Sequence, residues 1–157
     1  MFKANEITSH HTDSIFYEIE LTAKYCKKLG NQVFEHFITE LNLEEFVILD
    51  TLLCNPEICQ RDIAKIILRD RANTGKLLDN LEKKKLIERN LTLRNNRPVK
   101  IVKLTETGYK KVIEATNTLQ PHKRLVEEKL KKNDLAKLSL MLKKLRNVLN
   151  ETVELQI

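Results

Sequence analysis

Breakers are scarce in this sequence: three glycines and three prolines are spread over 157 residues, too few for the closely spaced turns of an all-β fold. Long helices are expected instead. Cysteine is equally rare. Cys26, Cys54 and Cys59 are odd in number and far from a regular spacing, which argues against a disulfide framework or a paired zinc knuckle and leaves free thiols. No stretch approaches the roughly 18 consecutive apolar residues that cross a bilayer. The opening Met-Phe-Lys-Ala-Asn-Glu also lacks the charged-then-apolar pattern of a secretion signal. A cytoplasmic protein with no membrane partner is expected.

Chemistry-bearing motifs are missing too. There is no phosphate-binding glycine loop, no nucleophile elbow and no His-Glu-x-x-His stretch, so neither an enzyme nor a bound cofactor is expected. His10 and His11 lie beside Asp13 near the terminus, while His36 and His122 have no companion ligands in the sequence; none is assigned to a metal.

What is present is a globular composition, 41% hydrophobic and 32% charged, too apolar for disorder. Its length suits one domain over 1–157. The net charge of +6 is unevenly placed: residues 61–111 hold 15 Lys/Arg against 6 Asp/Glu, and the remainder holds 13 against 16. A concentrated basic segment suits nucleic acid, although a solvated lysine-rich surface would look the same by charge alone.

The element pattern separates those readings. Ile15, Ile19, Ala23, Cys26, Val33, Phe37 and Leu41 recur mostly at steps of three and four, predicting one long first helix. Asn42 with Glu45 resembles a capping box that opens a second helix with Phe46, Leu49 and Leu53 inward, ended by Asn55-Pro56. A short third helix begins near Cys59 or Gln60 and buries Ile63, Ala64 and Ile67. After a break at Leu68 to Asp70, a fourth helix capped by Asp70 turns Thr74, Leu77, Leu78 and Leu81 inward. The third and fourth helices together form a candidate helix-turn-helix.

Two strands, Leu86–Arg89 and Val99–Leu104, then flank the basic loop Arg94-Asn95-Asn96-Arg97-Pro98, whose arginines can enter a minor groove or pair with phosphate. Thr105 caps a further helix, expected to break or bend near Pro121. The chain closes on Leu135, Leu138, Leu142, Leu145 and Leu149, a heptad seam that seeks a partner helix or packs within the chain.

From about residue 13 to 155 the chain resembles the MarR family of bacterial transcription regulators. The resemblance is strongest over Asp70-Arg71-Ala72-Asn73-Thr74-Gly75-Lys76-Leu77-Leu78-Asp79-Asn80-Leu81-Glu82-Lys83-Lys84-Lys85-Leu86-Ile87 and over Leu104-Thr105-Glu106-Thr107-Gly108. Lys85 departs from a usual Gly, and Asn96-Arg97-Pro98 from a usual Asp-Arg-Arg. The resemblance implies a mainly α fold with a small β-wing: a winged helix-turn-helix over 42–108, flanked by helical dimerisation parts at 13–41 and 109–157. It also implies a regulator, expected to be a repressor, that binds a palindromic double-stranded DNA operator as a homodimer and is released by a small-molecule effector or an oxidant.

Projected at about 100° per residue, the fourth helix turns Ala72, Lys76, Asp79 and Lys83 outward with Arg71, Asn73 and Gly75 on the flanks. The candidate DNA-binding residues are therefore Gln60, Arg61, Arg71, Ala72, Asn73, Gly75, Lys76, Arg94, Asn96 and Arg97. Lys76 could donate to guanine or phosphate, Asn73 could pair with adenine and Ala72 could touch a thymine methyl. Gly75 reads either as room for close backbone approach or as simple tolerance. Asp79, which would repel phosphate if it faced the duplex, is expected to lie beyond the groove or to pair with Lys76 or Lys83.

Ile15, Ile19, Leu138, Leu142, Leu145 and Leu149 are the candidate dimer interface. Cys26, Cys54 and Cys59 read first as core residues; Cys26, near Lys27 and Lys28, is the candidate redox sensor, and Cys54 with Cys59 could oxidise to a disulfide. The competing reading is a helical protein-interaction adaptor that uses a winged-helix domain without specific DNA binding.

Overall fold

A computed structural model describes residues 10–38 and 40–152; of the two expected dimerisation parts, residue 39 and residues 153–157 lie outside the described residues. After a 3-10 turn at His11–Asp13, the described chain forms α1 (Ile15–Phe37), α2 (Leu43–Cys54), β1 (Ile58–Cys59), α3 (Gln60–Ile66) and α4 (Arg71–Lys83). It continues through β2 (Ile87–Arg94), β3 (Arg97–Leu104), α5 (Glu106–Glu127) and α6 (Lys132–Thr152). The fold is mainly helical with one small antiparallel sheet in the order β1-β3-β2.

Side chains that satisfy unpaired backbone N–H groups set the helix starts. Ser14 accepts from the Tyr17 amide, Asp70 from Asn73 and Thr105 from Gly108. Asn42 and Glu45 form the complete reciprocal box at α2, with the Asn42 side chain accepting at 2.8 Å and Glu45 accepting from the Asn42 amide at 3.1 Å.

The core sits where the two middle helix pairs meet the sheet. Ile48 and Leu49 of α2, Ile63 of α3, Leu78 and Leu81 of α4, Val102 of β3 and Val112 of α5 are fully buried. Each such aliphatic side chain contributes about 1.5–3 kcal/mol of burial, which fixes the helix-turn-helix rigidly against the wing. Glu45 is buried with them. Its carboxylate takes two hydrogen bonds from Lys84 Nζ, at 2.8 and 2.7 Å, and so ties the start of α2 to the end of α4.

Several expectations need correction. The first helix ends at Phe37 rather than Leu41. Its last turn gives way at Ile38, and Asn42 must adopt an extended conformation to cap α2, so Leu41 enters the core from a connector. Phe34 and Val33 are the buried residues of α1, and Phe37 is exposed. On α2 the buried stripe is broader than expected, with Ile48 and Leu52 inside and Leu53 only half-buried.

α5 runs unbroken through Pro121. Pro121 and Asn117, four residues earlier, are both exposed, so water can take the carbonyl that proline leaves unpaired.

β1 went unseen because two residues carry no alternation. It pairs Ile58 with Val102 and Cys59 with Ile101. The wing strands are longer than expected: their register continues to Arg94 opposite Arg97, leaving Asn95-Asn96 as the only turn residues. Both have positive φ, 51° and 58°, the conformation that two-residue hairpin turns demand and that asparagine tolerates.

Candidate nucleic-acid interface

The geometry of α4 follows from burial. Thr74, Leu78 and Leu81 fix the inner face of α4, and Arg71, Ala72, Asn73, Lys76 and Asp79 are exposed on the other faces. Gly75 is half-buried. Among the described residues a Cβ there would meet only Gln60 Nε2, at 3.4 Å, so none of them demands glycine.

Gln60 and Arg61 open α3, and the start of α4 brings Arg71 beside them. These three, with Cys59, Pro98, Val99 and Lys100, line an open cleft of about 330 Å³ between the helix-turn-helix and the base of the wing. Lys100 was missed from sequence because it looked like one polar position in an alternating strand. The structure places it opposite Leu91, exposed on the hairpin.

The wing arginines differ. Arg94 donates to the Glu57 carbonyl oxygen at 3.3 Å and is drawn back toward the loop before β1. Lys103 holds the same loop through the Glu57 carboxylate at 2.7 Å, and this hydrogen bond with the ammonium charge keeps that carboxyl below its ordinary range. Arg97, Lys76 and Lys100 have no ion pair or side-chain hydrogen bond among the described residues. Asn96 is exposed at the turn.

Asn73 is less available than its position suggests. Its amide donates to Asp70 Oδ2 at 2.5 Å while its backbone N–H donates to Oδ1 at 2.8 Å. The backbone bond, then the side-chain bond, lowers the Asp70 pKa. Asp79 pairs with neither Lys76 nor Lys83: Arg89, reaching across from β2, takes it at 2.7 Å and Glu82 as well. A strand residue thus displaces the expected same-helix partner.

Behind the turn of the helix-turn-helix, Arg69 grips Glu44 through two bonds, at 3.0 and 2.6 Å, and Lys27 of α1 approaches the same carboxylate at 3.2 Å. The Arg69 hydrogen bond is the largest influence holding the Glu44 carboxyl below its ordinary range.

The cysteines are all free, but two are not core residues: Cys26 and Cys54 are exposed, and only Cys59 is buried, its thiol donating to Asp62 at 2.9 Å. Cys26 lies on the outer side of α1, where no residue of its half of the helix is buried. Among the described residues no group of three His, Cys, Asp or Glu side chains is arranged to hold a metal ion, and no helix is long and apolar enough to cross a membrane.

The expected dimer residues lie apart from the core. Ile15 is exposed and Ile19 half-buried; on α6, which buries no residue, Leu138 and Leu149 are exposed and Leu142 and Leu145 half-buried.

Comparison with known proteins supplies the context for this geometry. Residues 41–99 match the MarR family. The chain is similar to MepR of S. aureus, solved as a DNA complex, at 25% identity and a TM-score of 0.73, covering 90% of this chain and all of that one. A MarR/EmrR family transcriptional regulator from Acinetobacter sp. ADP1 superposes at a TM-score of 0.79 with 22% identity, covering 91% and 99%. PcaV of Streptomyces coelicolor, solved with its natural ligand, gives 0.74 with 13% identity, covering 90% and 98%. No curated protein matches the sequence significantly.

Proposed function

We propose that this chain is a MarR-family transcriptional regulator rather than an enzyme, and that it reads a palindromic double-stranded operator as a homodimer and represses by occupying it. The observation that carries this reading is the cleft that gathers Gln60, Arg61, Arg71 and Lys100 between the recognition helix and the wing, with Lys76 turned outward beside it. Such a surface suits a duplex whose groove takes α4 while its phosphates pass the cleft.

The roles differ along it. Arg71, Ala72, Asn73, Gly75 and Lys76 face the major groove, with Asn73 serving mainly to hold the helix start. Gln60 and Arg61 set register on phosphate, and Arg97 with Asn96 enters the minor groove while Arg94 braces the wing. The reading head spans 42–108. The parts at 13–41 and 109–157 pair two copies, through Ile15, Ile19, Leu138, Leu142, Leu145 and Leu149, so that two recognition helices meet successive major grooves about 34 Å apart. The MepR–DNA complex supports duplex as the partner, and the ligand-bound PcaV supports release by a small molecule. Exposed Cys26 offers an oxidant an alternative route. Cytoplasmic residence fits such a role.

Selection of bound fragments from a random duplex pool tests this reading. An enriched inverted repeat with half-sites one turn apart is expected. Lys76→Ala and Arg97→Ala should each weaken binding to it, and the slope of log affinity on log salt should fall by about 0.9 for every phosphate contact removed. A folded chain that enriches no duplex at any salt concentration would overturn the proposal and favour an adaptor.

A further inference from the structure

Ala72, Lys76 and Asp79 recur at helical spacing on the outward face of α4, so the face that would enter a groove carries a carboxylate one turn beyond its lysine. Electrostatic forces reach about 10 Å at ordinary salt, far enough for a bare Asp79 to repel any phosphate that Lys76 approaches. Asp79 is not bare. The Arg89 guanidinium donates from Nη2 to its carboxylate at 2.7 Å, and from Nε and Nη2 to Glu82, three residues further along the helix. The Arg89 side chain is only 16% exposed, against 54% for Asp79. Its Nε and Nη2 donors are thus engaged by two acids of α4, from a position at the base of the wing.

We infer that Arg89 is a shielding and positioning residue for duplex reading: it neutralises Asp79 on the groove-facing side of α4 and locks the base of the wing to that helix, without touching DNA. The inference rests on the operator-reading role proposed above. It accounts for a basic residue of the cationic segment that is turned back onto two acids of its own chain, and for an acid tolerated on the outward stripe of α4. An arginine suits the task because its planar fork can hold two carboxylates at once, which a lysine ammonium matches poorly.

The test is a four-member cycle of the full chain, comprising wild type, Asp79→Asn, Arg89→Met and the double variant, titrated with the selected duplex between about 50 and 200 mM salt. Arg89→Met is expected to weaken binding about ten-fold and Asp79→Asn alone by less than about three-fold, with the double variant regaining most of the loss. The salt slope of the double variant should equal that of wild type. A double variant as weak as Arg89→Met, with a slope shallower by about 0.9 per lost contact, would make Arg89 a phosphate ligand and overturn the inference. So would unchanged affinity in Arg89→Met. Loss of packing alone would not be repaired by removing the Asp79 charge, which separates shielding from mere support of the fold. If the methionine variant fails to melt cooperatively, Arg89→Gln, uncharged but able to donate to Glu82, carries the same cycle. A wild-type chain that binds no duplex fails earlier, and overturns the reading role itself.

Discussion

Gly108 in the first turn of α5 lies against the Leu86 carbonyl oxygen so closely that a Cβ on the glycine would sit 1.9 Å from it. The same oxygen accepts the Thr105 amide at 3.1 Å, and Thr105 caps α5 through the Gly108 N–H at 3.0 Å. Glycine is needed here for close approach and not for an unusual φ. The contact seals the end of the helix-turn-helix against the start of α5.

Gly108→Ala should therefore destabilise the fold by about 1–3 kcal/mol, the range for forcing atoms into a filled site, because backbone cannot swing aside as a side-chain tip can. Urea unfolding followed by circular dichroism measures it. An unchanged midpoint would mean that the junction is loose.

Acid should expose the link between α1 and the helix-turn-helix. The Glu44 carboxyl is held below its ordinary range first by the Arg69 hydrogen bond, with a smaller contribution from Lys27. A depressed folded-state pKa gives stability that is present above the ordinary glutamate value of about 4.3 and is lost as the pH falls through the lower folded-state value. Glu44→Gln should therefore be less stable than wild type near neutral pH and approach it as the pH drops from about 5 toward 3. Both partners are partly exposed, so screening keeps the difference small. Unfolding curves at stepped pH decide the matter; parallel profiles would show that the pair is energetically silent.

The helix-turn-helix and its caps were legible because their signals are local. Asn42 with Glu45 and Asp70 with Asn73 announce helix starts within four residues, and the inward stripe of α4 repeats at three and four. What escaped the sequence was settled by distance. Arg89 reaches Asp79 from a neighbouring strand, β1 exists only because β3 lies beside it, and Lys100 joins Arg61 and Arg71 only once the hairpin folds back. Lys85 shows the same limit from the other side. It departs from a usual glycine yet holds φ at 59°, a left-handed conformation imposed by the tight exit from α4 into β2 and tolerated by an exposed side chain. Cys26 and Cys54 followed apolar spacing but are exposed, since periodicity marks a face without saying what covers it.

That last point bears on the proposed dimer. Leu138 is 51% exposed on a helix that buries nothing, so within one chain Leu138→Lys removes little packing, and the secondary structure and core should survive. In a two-fold pair the same change acts twice, and burying a leucine is worth about 1.5–3 kcal/mol each time. Dissociation should rise by at least about 100-fold at ~1.4 kcal/mol per decade. Sedimentation at micromolar concentration should therefore move from twice the chain mass toward the single mass, while operator affinity collapses because one reading head spans only a half-site. A variant that still sediments as a dimer at the same concentrations would place the pairing surface elsewhere than the α6 seam; a monomer that keeps full operator affinity would remove the need for symmetry in the reading.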